Sequence, residues 1–443
     1  MLPVAAAEIG GADIWPMALS TPAIISIACL PLFGYLSARG PHLRRPIFIC
    51  CFAAAVTCMV IRGLATSIWM IIIPAFAYGL MAPAIFVCGY TLVRDMFGRQ
   101  KAGIYLGFVA TMQGTGWMLG ALSTGFVVEN YGWRYMYIFI VTGMLVAMTL
   151  MVSGVRASKE EGQRMAVVSG KFDSQGAVAM MVMLSSVVCT LSMINYFPWG
   201  SLPNLTFIAA AVVAGIFFVR IVRKKGEEAF MPVPVLKDKN TLLLFLVNAR
   251  FTFSTIAASI FMPTYLMLVM MKSPGEAGIA ASLASVLSIF VGPLLGRAIA
   301  KRGTAREIIM YMSGLASFCV QFALFIFLKP DTPIYLVYVF MFLTGIYNAS
   351  GGIMPAVAPQ IQLKEEVRVL GNSLVQLGGS LGSIIGICVF TALMAAMGPA
   401  EGFKTVLLIT STISILDLFL ARPLKKLDPA DIKKAESYGR DPG

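Results

Sequence analysis

Charged side chains are scarce in this sequence, and their scarcity indicates the class of protein. Lys, Arg, Asp and Glu make up 12% of the 443 residues, hydrophobic residues make up 58%, and the mean hydropathy is +0.83. A soluble domain of average composition carries about twice that charged fraction. Apolar runs of about 20 residues recur, which is the length an α-helix needs to cross a bilayer. Because lipid satisfies no backbone polar group, we predict an all-α polytopic membrane protein.

Histidine and clustered cysteines are also lacking, which excludes several kinds of chemistry. The single histidine, His42, lies in a loop, so no histidine relay can form within the membrane. The eight cysteines all fall inside apolar runs without the spacing of metal ligands, and we interpret them as packed or lipid-facing thiols. Neither a nucleophile–base pair nor a phosphate-binding loop is visible. We therefore predict no enzyme activity, no metal site and no cofactor.

Basic residues outnumber acidic ones, but they form no basic face. The formal net charge is +13, and the Lys and Arg fall mostly in short loops. When successive loops are assigned alternately to the two sides of a membrane, most of these residues lie on one side, as is typical of the cytoplasmic side. Trp15, Trp69, Trp133 and Trp199 lie at the opposite ends of apolar runs. We predict a plasma-membrane protein in contact with lipid, with a cytoplasmic C-terminus and no nucleic-acid partner.

Clusters of charge, Pro and Gly divide the sequence into about 13 candidate spans of membrane-crossing length. The predicted spans are 16–36, 46–66, 69–91, 103–127, 134–154, 174–194, 203–222, 242–270, 276–298, 306–328, 334–359, 370–394 and 403–421. Charged segments between them suggest four regions. We predict an N-terminal helical bundle over 1–155, two inserted helices with cytoplasmic linkers over 156–240, a C-terminal six-helix bundle over 241–421 and a cytoplasmic tail over 422–443.

A repeat relates the two halves of the chain. The end of the first span, PLFGYLSARG at 31–40, is similar to the end of the ninth, PLLGRAIAKRG at 293–303, and each leads into a basic turn. The turn residues of this pattern are Gly34, Leu36, Arg39, Gly296, Lys301 and Gly303. If the turns are equivalent, the C-terminal half has one span before its turn-forming span that the N-terminal half lacks. We therefore expect the N-terminal half to lack its opening helix.

Four short motifs carry a resemblance to a known family. They are LPVAAAEIG at 2–10, YGWRY at 131–135, FD at 172–173 followed by Gly176, and QLGGSLG at 376–382. In these motifs the chain resembles, over essentially its whole length, the fourteen-spanner drug:H+ antiporters of the EmrB/QacA type in the major facilitator superfamily. The resemblance implies a major facilitator fold of two helical bundles plus two inserted helices, with proton-coupled export by alternating access. It also implies that 2–10 ends a first helix whose body is absent, so we predict that Met1 is not the natural start or that the natural product is degenerate.

Several signatures of proton-coupled relatives are incomplete. The basic turn has Ala38 where the superfamily pattern has Asp, and the frame of the R-x-x-Q-G pattern around Gly79 has Ala75 and Tyr78 at its polar positions. Small residues are kept in the fifth-helix pattern and along the twelfth span, where they allow helix backbones to approach closely. We expect a monomer, and the glycines predicted to pack helices within it are Gly116, Gly120, Gly125, Gly378, Gly382 and Gly386.

Arg250 is the only basic residue well inside a predicted span. Ionisable groups there are costly and usually mark a pathway, but a long basic side chain also reaches the interface, and the sequence is compatible with both. Asp417 lies five residues before Arg422, and we expect it to pair with Arg422 at the membrane edge. The residues predicted to line a central cavity are Arg250, Asn248, Tyr90, Gln113, Tyr265, Tyr347, Asn348, Asn372 and Gln376.

These features together predict a secondary active transporter. We expect proton-coupled efflux of small lipophilic or amphipathic compounds, of the multidrug type, with the solute and protons as its partners. A transporter of a specific metabolite is an alternative, with Arg250 as counter-charge for an anion, and the scarcity of acidic residues in the spans favours it over a cation pump. The alternative from another class is a truncated, non-transporting membrane protein.

Overall fold

The structure is a computed structural model that describes residues 2–10, 17–154, 173–192, 200–302 and 304–424. Within these residues the regular secondary structure is helical, and 12 helices are long and apolar enough to cross a membrane. This confirms the prediction of an all-α polytopic fold. Each of the 12 corresponds to a predicted span, and the predicted span without a counterpart among them is 103–127.

That unmatched span is the second half of one long helix, α4 (Trp69–Tyr131). A loop was expected at 94–101 because charged residues cluster there, and this expectation is wrong. Arg, Lys and Gln are good helix formers, and the segment contains no proline. Charge therefore ends the apolar run without ending the helix.

Contacts between helices divide the chain into two compact units. The first unit comprises Met1–Leu92 and Phe126–Lys237, and the second comprises Val93–Gly125 and Asp238–Gly443. Both ends of α4 belong to the first unit, together with α1 (Leu2–Ile9), α2 (Met17–Ala38), α3 (Pro41–Gly63), α5 (Trp133–Gly154), α6 (Ser174–Ser192), α7 (Leu202–Lys225) and α8 (Val233–Lys237). The middle of α4 belongs to the second, together with α9 (Lys239–Ile256), α10 (Met262–Leu268), α11 (Pro274–Arg302), α12 (Ala305–Ile308), α13 (Ser317–Phe327), α14 (Ile334–Ala356), α15 (Ala358–Gln362), α16 (Glu365–Met397), α17 (Pro399–Ser414) and α18 (Leu416–Leu420).

Three spans of the second unit are not regular α-helices. A first π-segment, Ala257–Phe261, joins α9 to α10, and a second π-segment, Ile309–Ala316, joins α12 to α13. A break at Ile415 separates α17 from α18. Because π-helical turns are rare and often occur at functional sites, these irregularities single out the second unit for closer inspection.

A glycine face on α16 brings it against α9. A Cβ atom added at Gly378 or Gly382 would overlap the backbone carbonyls of Phe245 or Ala249, and one added at Gly386 would lie 3.2 Å from the carbonyl oxygen of Phe253. Glycine removes the side chain that would otherwise separate the helices, and dispersion contacts between the backbones take its place. The two helices therefore have a fixed register, which positions the polar residues of α9 relative to those of α16.

In the first unit, Asp173 anchors the start of α6 to the end of α7. Its carboxylate accepts hydrogen bonds from the backbone N–H of Gly176 (2.9 Å), from Lys225 Nζ (2.7 Å) and from the backbone N–H of Phe230 (2.8 Å). Burial alone would raise the pKa of Asp173, but these hydrogen bonds lower it below its ordinary value. The Phe230 ring in turn packs on Tyr35 of α2, with centroids 5.2 Å apart. The α6–α7 pair is thereby tied to α2.

Two of the sequence motifs meet between α1 and α5. The Glu8 carboxylate accepts a hydrogen bond from Trp133 Nε1 at 2.7 Å and another from Arg134. Arg134 also donates to the carbonyl oxygen of Ala65 at 3.2 Å. The hydrogen bonds from Arg134 and Trp133 hold the pKa of Glu8 below its ordinary value. The contact joins the first short helix to the same unit as α5.

Candidate functional site

A buried ion pair lies within the second unit, between α9 and α18. Arg250 is 6% exposed and Asp417 is 0% exposed. Arg250 Nε donates to Asp417 Oδ1 at 2.9 Å, and Arg250 Nη2 forms an ion pair with Asp417 Oδ2. A guanidinium that binds a carboxylate through two nitrogens makes the strongest kind of protein hydrogen-bond pair. Arg250 therefore points into its bundle and is neutralised there.

Hydroxyl groups surround this ion pair. Arg250 Nη1 donates to Ser414 Oγ, and Nη2 to the carbonyl oxygen of Ser313, each at 3.2 Å. Ser313 Oγ donates to Asp417 Oδ2 at 2.6 Å. Ser317 Oγ lies 3.0 Å from Ser414 Oγ. We call Arg250, Ser313, Ser317, Ser414 and Asp417 the ion-pair cluster. Its hydroxyl groups form hydrogen bonds with N–H donors and carboxylate oxygens in addition to the bonds that Arg250 and Asp417 make to each other.

The expected pairing of Asp417 with Arg422 at the membrane edge is wrong. Asp417 is fully buried and bound to Arg250, whereas Arg422 is exposed. The two charged partners lie 167 positions apart, so no local spacing connects them. A signal was nevertheless present, because Ser313 and Ser317, like Thr410 and Ser414, are four residues apart and share a helix face. Polar residues along one face of an apolar helix indicate that this face contacts polar groups of a neighbouring helix.

A second polar set contains only carboxamides. Asn372 is 0% exposed, and neither atom of its amide has a hydrogen-bond partner among the described residues. One turn along α16, Gln376 Nε2 is likewise buried and unpartnered. Asn248 Nδ2 donates to the carbonyl oxygen of Val375 at 2.8 Å, while its Oδ1 has no partner in the same residues. We call Asn248, Asn372 and Gln376 the carboxamide set. Unsatisfied buried amides are costly, and a bound molecule or water would satisfy them.

The other residues predicted to line a cavity lie at several places. Tyr265 is fully buried against Phe403, with ring centroids 5.0 Å apart. Asn348 Nδ2 donates to the carbonyl oxygen of Ala284 at 2.9 Å, which ties α14 to α11. Tyr347 is fully buried in α14. Tyr90 is buried in the first unit, and Gln113 is partly buried in the part of α4 that belongs to the second.

The predicted turn and packing residues are distributed as follows. Gly34, Leu36 and Arg39 lie at or just after the end of α2, and Gly296 approaches Gly107, where an added Cβ would be 3.3 Å from the Gly296 Cα. Lys301 is near the end of α11, and Gly303 lies outside the described residues. A Cβ added at Gly116 or Gly120 would meet no described atom within 4 Å, and Gly125 lies in the same helix, α4.

The sequence and the fold can be compared with those of known proteins. A family model described as Major Facilitator Superfamily matches residues 1–223 and 242–441. The chain belongs to the Major Facilitator Superfamily. The computed structural model of this superfamily member is similar to the crystal structure of the human organic anion transporter MFSD10 (TETRAN), with a TM-score of 0.64 and 13% sequence identity over 94% of this chain and 87% of that one.

Relatives of this superfamily member include transporters from fungi and bacteria. It is 25% identical to the MFS-type transporter gkaD of Penicillium citrinum, over 88% of this chain and 67% of that protein. It is 22% identical to the multidrug transporter protein MdtP of Bacillus subtilis, over 89% of this chain and 71% of that protein. The chain is thus a transporter of small molecules by family, and its relatives include proteins named for multidrug transport.

Proposed function

We propose that this protein exports uncharged or amphipathic small molecules across the plasma membrane in exchange for protons, and that it belongs to the fourteen-spanner drug:H+ antiporter group. The observation that carries the choice of solute is the carboxamide set. Both amide atoms of Asn372, Oδ1 of Asn248 and Nε2 of Gln376 have no hydrogen-bond partner among the described residues, and these amides carry no charge. Such groups bind hydroxyls, carbonyls and amides, and they lack the counter-charge that an ionic solute requires.

The main alternative, transport of an anionic metabolite with Arg250 as counter-charge, is weakened by the ion pair. Arg250 already binds Asp417 through two nitrogens and is 6% exposed. An anion would have to displace the carboxylate and leave Asp417 buried without its partner, which is strongly unfavourable. The name of the human structural relative refers to organic anions, but a likeness at 13% identity concerns the fold alone.

The orientation and the direction of transport are supported by separate observations. The loops richest in Lys and Arg mark the cytoplasmic side, so the C-terminus is cytoplasmic. The multidrug relatives, such as the Bacillus subtilis protein at 22% identity, support efflux as the working direction. We further propose that a monomer is sufficient for transport.

Transport by purified protein in liposomes tests this proposal. Three radiolabelled probes differ in charge: chloramphenicol is neutral, tetraphenylphosphonium is a cation and p-aminohippurate is an anion. We expect an imposed pH gradient to drive accumulation of chloramphenicol at least tenfold above protein-free liposomes, with little accumulation of p-aminohippurate. Uptake of p-aminohippurate alone would reject the proposed solute class. Chloramphenicol transport that does not respond to the pH gradient would reject proton coupling.

A further inference from the structure

Three irregular helices converge on the Arg250–Asp417 pair. The first π-segment begins seven residues after Arg250, and the second π-segment contains Ser313. The break at Ile415 lies two residues before Asp417. Helix irregularity within a membrane leaves backbone groups that neighbouring polar groups must satisfy, and it marks places where helices change conformation. The second π-segment and the turn at Ile415 thus lie beside the residues that their helices contribute, whereas the first π-segment lies about two helical turns beyond Arg250.

The helices are also unusually close at the cluster. A Cβ added at Gly314, next to Ser313, would lie 3.1 Å from the Asp417 Cβ and 3.4 Å from the carbonyl oxygen of Ser414. This approach lets the second π-segment present both the hydroxyl and the carbonyl oxygen of Ser313 to the ion pair. The second π-segment is therefore in close contact with the helix that carries Asp417, directly beside the ion pair.

Stability alone does not account for such a pair. A buried ion pair gains little over apolar residues of the same shape, because both charges lose their hydration. Ser313, Ser317 and Ser414 are each 0% exposed, and hydroxyls act as donors or acceptors by rotating. A carboxylate among such groups has hydrogen-bond partners in both its ionised and its protonated form.

We propose that Asp417 is the residue that takes up and releases the coupling proton of this transporter, and that Arg250 is its electrostatic partner. The inference rests on the proposed proton coupling and adds the site where it occurs. In the ionised state, Asp417 accepts from Arg250 and from Ser313 Oγ. When a hydronium ion delivers a proton to Oδ2, water leaves, the bond from Arg250 Nη2 to Oδ2 breaks, and the new acid group donates to Ser313 Oγ, whose own hydroxyl turns away.

The protonated state retains partners for the cation. Arg250 keeps the hydroxyl of Ser414 and the carbonyl oxygen of Ser313, so it stays bound to the helices on either side of the lost contact. The attraction between α9 and α18 falls because one of its two charges is gone. Protonation therefore loosens α18 from α9, and deprotonation draws them together again.

Few other titratable groups face this site. Arg250, on α9, is the one charged group that interacts with Asp417 among the described residues. From α14, Tyr347 is near enough to Arg250 to interact with its charge. The second π-segment and α17 contribute Ser313 and Ser414, which do not ionise. Acid–base change at this cluster is therefore a property of the single carboxyl of Asp417.

Infrared difference spectroscopy of the purified protein tests protonation without any substrate. Wild type titrated across neutral pH should show a carboxylic-acid C=O stretching band that is absent from Asp417→Asn and present in the control Glu401→Gln. Glu401 is a suitable control because it lies in the first turn of α17 and pairs with nearby Lys404 at 3.4 Å. A wild-type spectrum that does not differ from that of Asp417→Asn would overturn the assignment.

Transport by a charge-free variant separates coupling from structure. Arg250→Met with Asp417→Leu removes both charges together. It leaves no unpaired charge, so we expect it to keep membrane abundance even if a single substitution lowers it. We expect this double variant to exchange chloramphenicol across liposomes at equal pH but to lose at least tenfold of its accumulation driven by a pH gradient. If the double variant accumulates chloramphenicol as strongly as wild type does, the Arg250–Asp417 pair has only a structural role. If wild type itself ignores the gradient, proton coupling fails as a whole, and the infrared result still reports whether Asp417 titrates.

Discussion

Asn372 is a residue where we expect one substitution to raise stability and to lower transport. Its buried amide has no described partner, and desolvation of such a group costs about 1–3 kcal/mol. We expect Asn372→Leu, which is similar in size and apolar, to raise the thermal unfolding temperature while lowering chloramphenicol transport about tenfold. Unfolding of the detergent-purified protein and uptake by liposomes measure the two effects.

Ser373→Ala is the matched control for this prediction. Ser373 is equally buried on the same turn of α16, but its hydroxyl donates to the carbonyl oxygen of Leu370 at 2.7 Å within its own helix. The control should leave transport unchanged. If Asn372→Leu lowers stability with no effect on transport, the amide has a structural partner such as an internal water, and the proposed solute contact is wrong.

At the residue scale, the sequence indicated which residue to inspect but not its environment. Arg250 stood out because it was the one basic residue well inside an apolar span. Its partner Asp417 did not, because pairing across 167 positions depends on how helices pack in three dimensions. Asn372 and Gln376 are visible in the sequence as polar residues in a span, but only the folded bundle shows that the Asn372 amide and Gln376 Nε2 have no partner among the described residues.

At the element scale, the glycines of α16 and α4 should respond oppositely to the same change. A Cβ at Gly382 would overlap the carbonyl oxygen of Ala249, so Gly382→Ala forces α9 and α16 apart. We expect a loss of about 1–3 kcal/mol, typical of overpacking. Gly116→Ala meets no described atom within 4 Å and should gain about 0.5–1 kcal/mol, because alanine loses less backbone entropy in a helix.

Thermal unfolding of the two glycine variants measures this difference. Both changes add one methyl group to a helix, so the comparison isolates the neighbour that the methyl group meets. Equal destabilisation by both variants would contradict the close approach of α9 to α16. Preserved transport in Gly116→Ala would also indicate that this part of α4 does not need its glycine for packing.

Asp173 gives the α6–α7 pair a dependence on pH. Because its pKa in the folded protein is lower than the ordinary value of 3.8, it stabilises the fold above that value and loses this contribution as the pH falls through its lowered pKa. We expect protection against hydrogen exchange at the start of α6, relative to the intrinsic rate at each pH, to fall in wild type below about pH 3.8. Asp173→Asn should exchange fast at neutral pH and change little on acidification. Equal protection in both proteins at neutral pH would contradict the anchor.

The elements themselves were largely predictable from apolar runs. Spans appeared where about 20 apolar residues follow one another, since lipid requires a helix there. The long α4 was not predicted, because 94–101 is charged and contains Gly98, yet without a proline the helix continues through it. The two π-segments were not predicted either. The first ends just before Met262 and Pro263, and this proline lacks the backbone N–H that a regular α-helix would use there, whereas the second has no proline within it.

At the scale of the whole molecule, the same distribution of charge governs insertion and function. Lys and Arg lie mostly in loops, whereas the buried Arg250 and Asp417 of the second unit neutralise each other. The loop charges orient the chain, and the buried pair provides the group that we assign to proton exchange. Orientation therefore determines which membrane surface Asp417 lies nearer, because this residue is in the last span, three residues before the end of α18.

The orientation is tested by reporters fused at two points of the whole chain expressed in bacteria. A C-terminal fusion to green fluorescent protein should fluoresce, and one to alkaline phosphatase should be inactive, because the basic loops keep that end in the cytoplasm. The matched control is a fusion after Thr66, in the turn between α3 and α4, which should give the opposite pair of results. Active phosphatase at the C-terminus would invert the topology. Asp417 would then lie nearer the outer surface than the cytoplasmic one, and the proposed cytoplasmic C-terminus would be wrong.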